Sequence, residues 1–155
     1  MGRNKKIIKI LSVFGTRPEV IKMAPVLKEL SSHPGEFKSV VCITAQHRQM
    51  MDPLLKLFNI TPDYDLNIMI ENQSLEHITT SVLNQVGEII QQEKPDYLLV
   101  QGDTTTAMAA ALAAYYRKVK IGHVEAGLRT WDKYNPYPEE INRKFIDDLS
   151  DLLFV

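Results

Sequence analysis

The sequence predicts a three-layer α/β/α domain built on a mostly parallel sheet. Two patterns carry that prediction: short apolar, β-branched runs alternate with longer segments of helical periodicity, and most of the apolar runs end in a turn-forming or polar cluster. Strands separated by helices need crossover connections, which set the strands parallel and cover both faces of the sheet. At 155 residues the chain is one domain's worth, enough to bury a single core.

Residues 7–14 read as the first strand, with a turn at Gly15. A helix is expected over 19–30, with Pro18 suited to a first helical position and Pro25 threatening a kink. Residues 37–44 form the second strand and 46–58 a helix despite Pro53; 59–73 are turn-rich, with a short extended piece at 66–68. Ser74 caps a long helix to Glu93, whose Leu75, Ile78, Val82, Val86, Ile89 and Ile90 share one face. Residues 97–101 are a short buried strand, and Gly102-Asp103 opens an alanine-rich helix over 104–116. A strand at 119–124, a loop at 125–138, a helix at 139–149 and a last apolar run at 152–155 complete the pattern. Natural domains more often end in polar surface segments, so a chain stopping inside that run is expected to be cut.

Lysine and arginine number 18 against 19 aspartates and glutamates, so no global field draws the chain to nucleic acid or a membrane surface. A polyanionic ligand would have to be held by a few placed cations. One cysteine, Cys42, excludes an intrachain disulfide and a multi-thiolate metal site, and the histidines lack metal-ligand spacing, so no metal is assigned. The basic, apolar amino terminus around Arg3, Lys5, Lys6 and Lys9 has no small-residue cleavage site and reads as a first strand. A cytosolic protein is expected.

In parallel α/β sheets ligands bind beyond the carboxyl ends of the strands. There the sequence places Gly15-Thr16-Arg17-Pro18-Glu19, Gln46-His47-Arg48, Gly102-Asp103-Thr104 and Glu125-Ala126-Gly127. The three glycines of a dinucleotide fingerprint and the lysine of a phosphate-binding loop are missing, which argues against NAD, FAD and P-loop chemistry. Arg17 at a helix amino terminus opposes the macrodipole, a conflict a bound phosphate would remove. Asp103 before a helix is explained as well by capping as by catalysis. Glu125 ends a very apolar strand, where a carboxylate is usually paired or functional. Glu139 and Glu140 open a helix, where acids are favourable in any case. His123 reads as a satisfied core histidine, Met23, Met50, Met51 and Met69 as core fillers, and Trp131 and Tyr134 as stacking or covering residues. Spacing alone gives a ligand site with carboxylates and an anion-binding arginine, and names no reaction.

Six segments run in a fixed order: VFGTRPEVIKMAP at 13–25, TAQHR at 44–48, DLNIM at 65–69, GDTTT at 102–106, GHVEAGLRT at 122–130 and PEEINR at 138–143. In wording and order they resemble the non-hydrolysing UDP-N-acetylglucosamine 2-epimerases; the hydrolysing relatives resemble Gly-Ser-Arg-Ala-Glu at the opening instead. The resemblance implies that residues 1–155 are a Rossmann-like amino-terminal domain, one half of a GT-B-like two-domain enzyme whose carboxyl-terminal UDP-binding domain is absent here. It implies interconversion of UDP-GlcNAc and UDP-ManNAc through a 2-acetamidoglucal intermediate, no external cofactor, and a homodimer. Asp103, Glu125 and Glu139 match the family's catalytic carboxylates, and Arg17 and Lys22 its basic residues near substrate. Gln46 and Gln49 match contacts of a second, activating UDP-GlcNAc, with Asn72 where an arginine is expected. A non-catalytic binding module keeping the same fold is the competing expectation.

Overall fold

The computed structural model describes residues 6–155; Arg3 and Lys5 lie outside them. Strands β1 (Ile8–Phe14), β2 (Phe37–Ile43), β3 (Tyr64–Asp65), β4 (Tyr97–Gln101), β5 (Lys120–Val124) and β6 (Leu152–Phe154) form one sheet in the order β3-β2-β1-β4-β5-β6. Every neighbouring pair is parallel. Helices α1 (Arg17–Ser32), α2 (Arg48–Leu57), α3 (Leu75–Glu93), α4 (Thr105–Tyr116) and α5 (Glu139–Leu149) supply the crossovers.

Alternation along the central strands divides the core in two. Leu11, Val13, Val40, Cys42, Leu98 and Val100 pack with α3, α4 and the Ile146 side chain of α5. Ile10, Phe14, Val41, Ile43 and Leu99 face the other way, against Val20, Met23 and Leu27 of α1 and Met51 and Leu55 of α2. Both faces are therefore dry, which is why these strands read as continuous apolar runs. The alanines of α4 are wholly buried, and their small size lets this helix lie close to both the sheet and α3.

Several boundaries differ from expectation for local reasons. Helix α1 begins at Arg17, with Pro18 in its second position, because Thr16 is the N-cap and Glu19 folds back onto the cap backbone. Pro25 lies inside α1 without ending it. The extended piece after α2 pairs at Tyr64–Asp65, not at 66–68; Leu66 and Ile68 still donate backbone hydrogen bonds to Ile43 and Thr44, at 2.9 and 3.0 Å. Met23 and Met51 are core residues, but Met50 and Met69 are exposed. Among the described residues no helix is long and apolar enough to cross a membrane.

Candidate functional site

Strand order reverses between β1 and β4, and the loops after these two strands part there. An open cleft of about 580 Å³ lies at this place, lined by Thr16, Glu19, Gln46, Asp103, Glu125 and Glu139 among others. A larger hollow of about 650 Å³, between α1 and the loop after α2, is lined by Leu27, Phe58 and Ile60 and holds no carboxylate. The carboxylates therefore gather in the smaller one.

Asp103 does not cap α4. Thr104 takes that place, its Oγ1 accepting from the Ala107 N–H at 3.0 Å. The Asp103 carboxylate instead accepts from the Arg143 guanidinium at 2.7 Å, and its carbonyl from Asn142 Nδ2 at 2.9 Å. Glu125 comes directly after β5 in the left-handed region, at φ 61°, a conformation that a non-glycine residue adopts only when its surroundings compel it. Here the compulsion is visible: the carboxylate accepts from Lys22 Nζ and Gln101 Nε2, and the backbone carbonyl from Arg143. Glu139, first residue of α5, is half-buried on the cleft wall and has no hydrogen-bond partner among the described residues.

Two further carboxylates act as braces. Glu19 is 1% exposed; its Oε2 accepts from the Gly15 and Thr16 N–H groups at 2.9 and 2.7 Å, and its Oε1 from the Thr104 hydroxyl at 2.8 Å. It thereby ties the loop after β1 to the loop after β4. Burial pushes its carboxyl above the ordinary range, against those donors. Glu140 is held down at about 2, first by Arg129 and then by the Thr130 N–H, and it also accepts from Trp131. It fixes the loop after β5, while the side chain of its neighbour Glu139 has no partner among the described residues.

Asp103, Glu125 and Glu139 thus line one cleft, and Lys22, which does not line it, is tied to it through its ion pair with Glu125. Arg17 sits exposed at the start of α1 and does not line it. Gln46 is buried in the cleft wall, its Oε1 accepting from Thr106 at 2.8 Å, whereas Gln49 is exposed on α2. Trp131 is 81% exposed, with the Arg129 guanidinium 4.5 Å from its ring centre. Burial raises the Cys42 thiol to about 12, which removes it as a nucleophile. Sequence reasoning missed Gln101, Asn142, Arg143 and the bracing role of Glu19. The Thr16-x-x-Glu19 spacing is a capping-box signal that would have found the last of these; Asn142 and Arg143 lie in the PEEINR segment, but nothing local says what they touch, and Gln101 closes an apolar strand.

A carboxylate without side-chain partners among the described residues, beside two that are charge-compensated, is an arrangement suited to moving protons. The family model for UDP-N-acetylglucosamine 2-epimerase matches residues 28–155. The chain belongs to the UDP-N-acetylglucosamine 2-epimerase family. The UDP-N-acetylglucosamine 2-epimerase of Bacillus subtilis is 54% identical over 149 residues, 96% of this chain and 39% of that protein. The structure of UDP-GlcNAc 2-epimerase from Neisseria meningitidis bound to UDP-GlcNAc superposes with a TM-score of 0.92 at 55% identity, over 96% of this chain and 40% of that one. That of Methanocaldococcus jannaschii UDP-GlcNAc 2-epimerase in complex with UDP-GlcNAc and UDP gives 0.88 at 36% identity, over 96% and 40%. The chain thus spans about 39% of the length of the epimerases it matches.

Proposed function

We propose that residues 1–155 are the amino-terminal domain of a two-domain epimerase interconverting UDP-GlcNAc and UDP-ManNAc, acting in the cytosol as a homodimer and without an external cofactor. The observation that carries this is the meeting of Asp103, Glu125 and Glu139 at the strand-order reversal, with Lys22 beside them. One carboxylate removes the proton from C2. The C–H electrons become the C1=C2 bond, the C1–O bond breaks, and UDP leaves with that pair as the anion. A 2-acetamidoglucal stays bound. Proton return to the opposite face of C2, with attack of the UDP oxygen on C1, completes inversion at C2.

Two faces of one carbon need two proton-handling groups, and the site offers three carboxylates in different surroundings. Lys22 and Arg17 offset the charge that develops on UDP, Arg17 from the amino end of α1, where the helix dipole also favours an anion. Gln46 and Gln49 are the proposed contacts of a second UDP-GlcNAc. Turnover requires substrate held between two domains. The chain alone is therefore expected to leave UDP-GlcNAc unchanged, and the chain joined to a family carboxyl-terminal domain to yield UDP-ManNAc. Robust epimerisation by the 155-residue protein alone would refute the two-domain reading.

A further inference from the structure

His123 lies in β5 at 0% exposure, beneath the cleft, which it does not line. Its ring is held at both ends: Nδ1 lies 2.6 Å from Asp147 Oδ1 and Nε2 lies 2.6 Å from the Gly102 carbonyl oxygen. The Gly102 carbonyl can only accept, so Nε2 carries the proton of that bond. A histidine that only filled space would not need two such short bonds.

The bond to Gly102 matters because the next residue is Asp103. Gly102 stands at φ 71°, the left-handed region that glycine enters without strain. Its N–H is given to the Val124 carbonyl at 2.9 Å, so β5 grips this residue through both its N–H and its C=O. Asp103 is then held from α5, by Asn142 on its carbonyl and Arg143 on its carboxylate. Asp147 lies one turn beyond Arg143 on the same helix. The helix that carries Glu139 therefore reaches the Asp103 segment directly through Asn142 and Arg143, and indirectly through the His123 ring.

We propose that His123 is a positioning residue, tethered by Asp147 and holding the Gly102 carbonyl so that the Asp103 carboxylate keeps its place against Glu125 and Glu139. This rests on the epimerase reading for its consequence in turnover, but not for the tether itself.

Two substitutions separate tethering from packing. His123→Gln can present its amide N–H where Nε2 stands and keep the Gly102 bond; His123→Asn can reach only toward Asp147 and loses it. In the 155-residue protein, carbon-13 NMR of the Asp103 carboxyl should be unchanged by the first and displaced by the second. In the two-domain enzyme, H123N should lower kcat on the order of 10²-fold with KM little changed, and H123Q should keep kcat within about fivefold of the parent, since small misplacements of a reacting group have costs of that size. In the unsubstituted chain, a scalar coupling across the hydrogen bond from His123 Nε2 to the Gly102 carbonyl carbon is expected, and this holds even where H123N fails to fold. Equal effects of the two substitutions on the Asp103 signal, or no such coupling, would overturn the proposal. No turnover by the unsubstituted two-domain protein would refute the epimerase reading instead, and the two NMR readouts would still decide the tether.

Discussion

Lys22 and Glu125, 103 positions apart in sequence, form an ion pair that joins the second turn of α1 to the residue after β5. Neither side chain is fully buried, so the pair adds little to stability. Its effect is on the site: a cation is held against a carboxylate whose backbone is already forced into the left-handed region.

Removing the charge at either end should therefore affect turnover rather than folding. In the two-domain enzyme, Glu125→Gln is expected to lower kcat roughly 10²–10⁴-fold, the range for loss of a positioned proton-transfer group, with an unchanged far-UV circular dichroism spectrum. Near-parental turnover would remove Glu125 from the catalytic set.

Glu19 makes a complementary prediction about folding. Glu19→Ala strands the Gly15 and Thr16 N–H groups and the Thr104 hydroxyl in a buried place, at about 1–3 kcal/mol for each group left unsatisfied. Glu19→Gln keeps an acceptor for the two N–H groups and is expected to lose distinctly less. Urea unfolding of the chain measures both; equal losses would mean that Glu19 fills space without bracing.

Gly15 is where the loop after β1 passes closest to the end of β2. A Cβ there would stand 1.8 Å from Thr44 Oγ1 and 3.2 Å from Thr106 Oγ1. Gly15→Ala should destabilise the chain by about 1–3 kcal/mol through overpacking. Adding Thr44→Ala should recover part of that loss, because the nearest clashing atom is gone. Independent, additive effects in the double variant would show that the contact is not the cause.

The Glu140 carboxyl, held at about 2 by Arg129 and the Thr130 N–H, links stability to pH. Its folded value is depressed below the ordinary 4.5, so its contribution is full above that value and disappears as pH falls toward 2. Glu140→Gln should therefore lower Tm at neutral pH and flatten the fall of Tm below pH 4.5. A parental acid limb in that variant would assign the acid sensitivity elsewhere.

The alternation of apolar runs and helical stripes made the sheet, its parallel sense and nearly every helix legible, because strands buried on both faces and amphipathic helices leave strong periodic signals. Glu125 was legible as well, since strand ends are where a parallel sheet exposes its functional groups, whereas Asp103 read equally as a cap and Glu139 was singled out only by the family resemblance. Their partners were not. Arg143 and Asn142 fall in the PEEINR segment, but only the crossover that brings α5 over the loop after β4 sets them beside Asp103. Asp103 itself looked like a cap because aspartate before a helix is favourable; Thr104 won the cap, which released the carboxylate to Arg143. The shift of β3 to Tyr64–Asp65 reflects pairing with Cys42 and Ile43, a tertiary choice with no local signature.

The central claim is that these carboxylates exchange the proton at C2 of the sugar. Deuterium incorporation at C2 of UDP-GlcNAc in heavy water tests it most directly, with the chain joined to a family carboxyl-terminal domain and again with Glu125→Gln. Incorporation by the first and its loss in the second is the predicted result. No incorporation by the folded two-domain protein would contradict the claim and favour a module that keeps the epimerase fold without its chemistry.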